Sequence, residues 1–433
     1  MNASTILEWT RPPVGIVRVE QEFCRWILSN AADAGVKVRF CRYQRSTGLF
    51  TEADAQEVRA RLDRSGTGGG KVGLVARCKA QFGRLRPYLP ARLGAWLNSL
   101  ARRTVEASRW AAAAGNRAFA GRQSQAPEPF SPGDHWLSLG TDWLMARALL
   151  RLKQQHGLVM TSICYDLIPY LFPKLVSTSA KRFERYMLDM AAYSAQVLCI
   201  SRQTESDFRS LLRKHGVASP ETHVIRLGSV VHRSPAASSP VLPFENDRPF
   251  VLFVSTIEPR KNHMLLYRVW RELSRAGKTP YRLVVVGMPT WGGSAFVRNI
   301  GRDPLVRDHV TLLDSVSDAA LAALYSACAF TVYPSLYEGW GLPVAESLAH
   351  GRFCVCSSTS SLPEVGGAWV DYLDPHDEQA WVKTLDHYFC RPDLIRQRND
   401  AVAAGYRPTS WSETAAQIHS LVLGPPQRAS SPA

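Results

Sequence analysis

Glu338 and Glu346 flank a glycine-rich turn in the stretch YPSLYEGWGLPVAESLAHG, residues 333–351. Phe330-Thr-Val-Tyr333 is apolar and β-branched, which predicts a buried strand running into that turn. Pro334, Gly339, Gly341 and Pro343 keep the following residues irregular. Pro343 suits the first position of a helix, where no amide donor is needed. Ala345, Leu348 and Ala349 give that helix an apolar side, and Gly351 ends it. The pattern therefore reads strand, loop, helix start, with Glu346 in the helix's first turn. Such a junction presents free backbone N–H groups to an anion. Carboxylates beside a phosphate would be repelled, but an ionised carboxylate is a good acceptor for sugar hydroxyls. A sugar attached to a nucleotide combines a ribose diol, a diphosphate and a ring of hydroxyls. The plainer alternative makes Glu346 a dipole-stabilising residue and Glu338 a solvated loop charge.

Four further residues, at three places in the chain, have suitable chemistry. Arg260 and Lys261 follow the apolar run Phe250–Ser255 at a strand-to-helix junction. There a guanidinium fork and an ammonium point charge can clamp a diphosphate, or simply lie solvated. Asp166 closes the run Leu158–Cys164, and ligands of parallel sheets gather at the carboxyl ends of strands. It is a candidate sugar-hydroxyl contact, or the cap of a following turn. Gly15 precedes a helical pattern and offers a place for close backbone approach, or an ordinary turn.

The elements that must position these residues alternate. Helix-like periodicity over residues 18–34, with Val19, Phe23, Trp26 and Ile27 on one face, precedes a strand-like alternation over Val36–Phe40. Strands are expected at 135–140, 158–164, 196–201 and 222–227, with helices at 143–156, 181–193 and 201–215 between them. Leu144, Ala148, Leu149 and Leu152 are expected to face inward. A second series gives strands at 250–255, 282–287, 310–313, 330–333, 354–357 and 369–373. Alternation of this kind implies parallel, doubly wound sheets. With 433 residues and 45% hydrophobic content, two domains are the natural division. The boundaries read as 1–231 for the first, with an insertion at about 62–133, and 232–248 for a Pro/Ser-rich linker. The second domain spans 249–423, and 424–433 form a disordered tail.

The balance of 52 Lys+Arg against 37 Asp+Glu gives +15, which favours anionic partners. Residues 71–122 hold eleven of the basic residues against one acidic residue, Glu106, interleaved with Trp96, Trp110 and other apolar side chains. That composition suits peripheral contact with an anionic membrane, or a solvated helical insertion. No nucleic-acid motif accompanies it, so no nucleic acid is expected. The nine Cys form no CxxC pair, which reads as reduced thiols and a cytoplasmic setting. Neither a signal peptide nor a run of ~20 apolar residues is visible.

The run from Val251 to Pro375 resembles the retaining family 4 (group 1) glycosyltransferases. It does so through STIEPRKN (255–262), VGMPTWG (286–292), SVSD (315–318), YEGWGLPVAE (337–346) and LPEVG (362–366), five motifs in family order. GIVRV (15–19), YDLIP (165–169) and CIS (199–201) are similar to the polysaccharide mannosyltransferase branch. The resemblance implies two Rossmann-like doubly wound domains facing across a cleft, the GT-B fold. It implies a hexosyltransferase moving mannose from GDP-mannose to a glycan or lipid-linked acceptor in surface polysaccharide synthesis, at the inner face of a membrane. A dTDP-rhamnose or UDP-glucose donor, or a non-catalytic nucleotide- or glycan-binding protein, are the alternatives. It implies no metal and no cofactor beyond the donor.

In the family's terms, Arg260 and Lys261 bind the diphosphate, Glu346 the ribose diol, and Glu338 lies against the donor sugar. The amides of Gly339, Trp340, Gly341 and Leu342 meet sugar or phosphate, Val316 faces the base, and Gly15 approaches the phosphate from the other domain. Many members carry Gly-Arg where this chain has Ser255-Thr256, which shifts phosphate charge onto Arg260. Many carry His-Asp where this chain has Tyr165-Asp166, leaving Asp166 without a histidine neighbour.

Overall fold

The computed structural model describes residues 1–9, 15–30, 36–64, 130–229, 242, 244, 248–314 and 316–424. The basic stretch 71–122, nearly all of the 62–133 insertion, most of the 232–248 linker, Ser315 and the tail after 424 lie outside them.

The first lobe begins with a hairpin, β1 (Phe40–Gln44) and β2 (Leu49–Ala53), paired antiparallel. The strand expected over 36–40 therefore starts only at Phe40, because Leu49–Ala53 offers a partner to 40–44 and not to the residues before them. A parallel sheet follows: β3 (His135–Ser138), β4 (Val159–Cys164), β5 (Gln196–Cys199) and β6 (Glu221–Val224), in that spatial order. Asn2 bridges to Cys41 and to Ser138, so the first residues tie the hairpin to the sheet. The helix Ile16–Asn30 covers this lobe with Val17, Val19, Phe23, Cys24 and Ile27. Leu144 points outward at 50% exposure, against expectation. Residues 142–144 form a separate 3-10 turn, and the helix with Ala148, Leu149 and Leu152 inward starts at Ala146.

The second lobe holds six parallel strands: β7 (Phe250–Val254), β8 (Arg282–Val286), β9 (Val310–Leu313), β10 (Phe330–Tyr333), β11 (Cys354–Ser357) and β12 (Val370–Leu373). Their spatial order is β12-β11-β10-β7-β8-β9. The chain winds outward from β7 to β9, returns to the centre, and winds the other way from β10. Val251, Leu252, Phe253, Leu283, Val284 and Val285 are fully buried, as central strands covered on both faces must be. The helix Ser294–Arg302, like Ala55–Arg64 of the first lobe, had no counterpart in the sequence reading. In such sheets ligands bind where the winding reverses, outside the carboxyl ends of the two central strands. Here those are β7 and β10.

The last helix, Trp411–Leu423, follows the second sheet in the chain but packs on the first lobe, against helix Ile16–Asn30 and β3. Gln196 Nε2 donates to the Leu421 carbonyl at 3.1 Å, and Thr414 Oγ1 to that of Arg226 at 2.8 Å. At the other junction Glu364, in the short helix Leu362–Gly366, accepts from the backbone N–H groups of Arg202 and Gln203 at 2.8 and 2.9 Å. Those amides open the helix Arg202–Lys214, whose own cap is Ser201. A carboxylate of one lobe thus caps a helix of the other. No helix among the described residues is long and apolar enough to cross a membrane. Glu364→Ala should lower the thermal unfolding midpoint by the equivalent of about 1 kcal/mol, the usual cost of a lost N-terminal cap. Differential scanning calorimetry of the full chain measures it.

Candidate functional site

Arg260 and Lys261 are neighbours in sequence, Glu338 lies 77 residues beyond Lys261, and the three meet at the winding reversal. After β7 the chain forms a 3-10 turn, Pro259–Lys261, and Asn262 then takes a left-handed conformation that starts the helix His263–Arg275. After β10 the loop 334–341 returns over that turn, and Leu336 N donates to the Arg260 carbonyl at 2.8 Å. Pairing of β7 with β10 sets this proximity, with Phe330 opposite Val251 and Thr331 opposite Leu252.

Glu338 is buried and held by four side chains. Lys261 Nζ donates to its Oε1 at 2.6 Å, Tyr333 Oη to the same oxygen at 3.1 Å, and Ser335 Oγ also donates to it. Arg260 Nη1 sits 2.8 Å from Oε2. Burial alone would raise the pKa of this carboxyl, but Arg260 and Lys261 overcome it and hold it at about 2. Burial and the neighbouring guanidinium in turn pull the Lys261 ammonium below its ordinary value, against the opposing carboxylate. Lys261 has three N–H donors, of which two go to Glu338 and Tyr333. Arg260 directs its fork at Glu338, at the Tyr337 carbonyl and at Glu258, each within 2.8 Å. Each cation keeps N–H groups for a ligand, and Glu338 Oε2 keeps a lone pair.

Above this cluster the helix runs from Leu342 to Ala349, capped by Gly341 at φ +114°, a value that disfavours any side chain. Pro343 is therefore the second helical residue, and Glu346 lies in the second turn, not the first. The displacement brings Glu346 against Tyr325, whose hydroxyl donates to Oε2 at 2.9 Å. The backbone N–H groups of Gly339, Trp340, Gly341 and Leu342 have no acceptor among the described residues, and neither does the buried indole N–H of Trp340. Five donors in one loop are thus unclaimed, which fits an oxygen-rich ligand.

Asp166 comes from the first lobe. Its Oδ1 accepts from Ile168 N at 2.9 Å, the capping role that competed with ligand contact in the sequence. Burial raises its pKa, opposed by the Arg260 charge, so the electrostatic field of the basic pair reaches it. The lobes touch here because residue 339 is glycine. A Cβ at that position would lie 2.0 Å from the Tyr165 carbonyl oxygen and 3.0 Å from the Asp166 Cβ. Thr204 Oγ1 donates to the Gly339 carbonyl at 3.3 Å, and Tyr337 Oη bonds Asp207 across the same seam.

Glu346 belongs to a second cluster. Arg18, in helix Ile16–Asn30, places Nη1 3.9 Å from Glu346 Oε1 and Nη2 3.0 Å from Asp318 Oδ2. Gly15 is exposed three residues earlier, with its carbonyl accepting from Arg18 N at 3.1 Å. Val316 is half-buried just before Ser317, which caps the helix Asp318–Ala327. Arg18, Tyr325, Tyr333, Ser335 and Glu364 were not singled out from the sequence. Arg18 had a signal in its place in the GIVRV stretch, Glu364 in LPEVG, and Tyr333 and Ser335 in the stretch 333–351; Tyr325 had none. Among the described residues no group of His, Cys, Asp and Glu side chains is arranged to hold a metal ion.

Residues 236–406 match the family model described as glycosyl transferases group 1. O-antigen chain mannosyltransferase B of Escherichia coli is 29% identical over 219 residues, which cover 50% of this chain and 57% of that protein. The serotype-specific mannosyltransferase WbdA of Escherichia coli is 27% identical over 267 residues, 58% of this chain and 32% of that protein. The chain thus spans about half the length of the first relative and about a third of the second. Among solved structures, sucrose-phosphate synthase from Thermosynechococcus elongatus aligns with a TM-score of 0.53 at 20% identity, over 70% of this chain and 75% of that one. The two-sheet α/β architecture is the GT-B fold.

Glu338→Gln tests the buried ionic cluster. In the folded protein Glu338 stays ionised to about pH 2, whereas its ordinary value is 4.5. Its contribution is therefore complete above 4.5 and is lost as the pH falls toward 2. By linkage it is worth about 3 kcal/mol at neutral pH. Denaturant unfolding of wild type and Glu338→Gln should differ by about that much at pH 7 and by less than half of it at pH 3.

Proposed function

From the match of residues 236–406 to the group 1 glycosyl transferases we propose that the protein is a retaining hexosyltransferase. It moves mannose from GDP-mannose to a glycan or lipid-linked oligosaccharide of a surface polysaccharide. The observation that carries the reading is the buried Arg260–Lys261–Glu338 cluster under a loop of unclaimed N–H donors, at the place where the second sheet reverses its winding. Likeness to O-antigen mannosyltransferases supports the choice of sugar and pathway.

The chemistry follows from where charge develops. Cleavage of the bond between the sugar's anomeric carbon and the diphosphate leaves the electron pair on the phosphate oxygen. Arg260 and Lys261 are already fixed by Glu338, Tyr333 and the Tyr337 carbonyl, so they meet that charge without reorganising. The amides of Gly339–Leu342 add neutral donors to sugar or phosphate oxygens. Glu346 accepts from the ribose diol. Glu338 sets the two cations and offers Oε2 to a sugar hydroxyl, and Asp166 faces the same place from the first lobe. Retention follows if the acceptor attacks on the face the diphosphate leaves, passing its proton to the departing phosphate oxygen. A lipid-linked acceptor puts the reaction at the cytoplasmic face of a membrane.

Lys261→Ala and Glu346→Ala should each lower transfer at least about a hundredfold, the scale of a lost transition-state donor or a mispositioned substrate. Release of GDP from GDP-mannose with acceptor present measures it. Protection from thermal unfolding by a panel of nucleotide sugars identifies the donor. Near-normal turnover in both variants, or protection by no nucleotide sugar, overturns the reading.

A further inference from the structure

Arg18 reaches Asp318 and the neighbourhood of Glu346 from the opposite lobe, 300 residues away in the chain. Its side chain and that of Glu346 are nearly nine-tenths buried, at 12% and 11% exposure, whereas Asp318 is half exposed. The two contacts are unlike. Nη2 is hydrogen-bonded to Asp318 at 3.0 Å, while Nη1 stops 3.9 Å short of Glu346 Oε1. That second distance is too long for a hydrogen bond and short enough for a strong charge interaction. Tyr325 takes Oε2. Oε1 is thus left with a cation nearby and no donor attached.

We propose that Arg18 is the positioning residue that keeps Glu346 ionised and aimed, through its free oxygen, at the nucleotide's ribose diol. The inference rests on the nucleotide-sugar reading above and adds a specific coupling to it. Donor selection by Glu346 in the second lobe depends on a residue of the first lobe, so the diol is read only where the lobes meet. Asp318 restrains the guanidinium. Were Arg18 to close on Glu346 as a bidentate pair, it would occupy the acceptor lone pairs that the ribose needs.

The electrostatics agree with the geometry. Burial raises the pKa of Glu346, and the Arg18 charge is the leading force opposing it. A protonated carboxyl would lose acceptor capacity toward two hydroxyls. The groups facing Glu346 are Arg18 from helix Ile16–Asn30, Tyr325 and Asp318 from helix Asp318–Ala327, and, on its own element, His350, which stacks on Tyr325 at 5.1 Å. Arg18 is the one guanidinium among them.

The test is binding of GDP and 2′-deoxy-GDP by isothermal titration calorimetry to full-length wild type, Arg18→Gln, Arg18→Lys, Glu346→Gln and the Arg18→Gln/Glu346→Gln double variant, between pH 5 and 8. Wild type should prefer GDP at least tenfold, and Glu346→Gln should lose that preference. Arg18→Gln should lose most of it and weaken further toward pH 5, where wild type holds. The double variant should be no worse than Glu346→Gln, and Arg18→Lys should recover part of the pH tolerance. A purely structural role would weaken both nucleotides equally and leave their ratio and pH profile unchanged, and that result overturns the proposal. So does wild type that binds GDP without preferring the ribose. Wild type that binds none of GDP, UDP, ADP or dTDP overturns the nucleotide-sugar reading and this one together.

Discussion

A buried carboxylate must be paired, and Glu338 is paired twice over. Arg260 takes one of its oxygens and Lys261 the other, with Tyr333 and Ser335 completing the shell. The cost of taking these charges out of water is large and is recovered only with good geometry and full hydrogen bonding. That requirement constrains the second lobe. The turn after β7 and the loop after β10 must sit at one fixed separation, which adjacent central strands supply. The strand order therefore decides which two loops can share a charge cluster, and the cluster pins those loops in return.

A comparable constraint joins the lobes. Gly339 lies so close to the Tyr165 carbonyl that no side chain fits between them. Thr204, Asp207 and the amides capped by Glu364 hold the same seam, all from the helix that follows β5 or its first turn. Asp166 is carried to the basic pair by this contact rather than by any attraction of its own, since its carboxylate is engaged with Ile168 N. The lobe contact and the loop of unclaimed N–H donors share Gly339, so a change made for one disturbs the other.

Most of the strands were legible because both faces of the sheets are buried, and runs such as Phe250–Val254 and Arg282–Val286 announce themselves. The junction between Glu338 and Glu346 was legible as an irregular loop running into a helix from its glycines and prolines. Three things were not. The helix Ser294–Arg302 follows the glycine-rich 288–293 turn, which obscured its start. The union of Glu338 with Arg260 and Lys261 depends on strand order, which no local pattern encodes. Arg18 reads locally as an ordinary helix-surface arginine, because its partners Asp318 and Glu346 are brought to it only by the meeting of two separately folded sheets. Glu346 was recognised by its neighbours, but its turn was misread, since Gly341 starts the helix before Pro343 does.

The two glutamates of the loop show how position alone divides their work. Glu338 faces two cations and is driven to about 2, so it is a permanent anion whose main effect is to fix the charges of Arg260 and Lys261 beneath the loop of unclaimed N–H donors. Glu346 faces a phenol and one distant guanidinium, and burial shifts it the other way. It is the less heavily engaged of the two, with Tyr325 on Oε2 and no donor on Oε1. Carboxylates whose environments pull them apart in this way take different roles at one pH. Seven residues separate them in the chain, yet one answers to the winding of a single sheet and the other to the contact between two. The settings of the two carboxylates are thus fixed by different parts of the fold, Glu338 by the pairing of β7 with β10 and Glu346 by the approach of Arg18 from the other lobe.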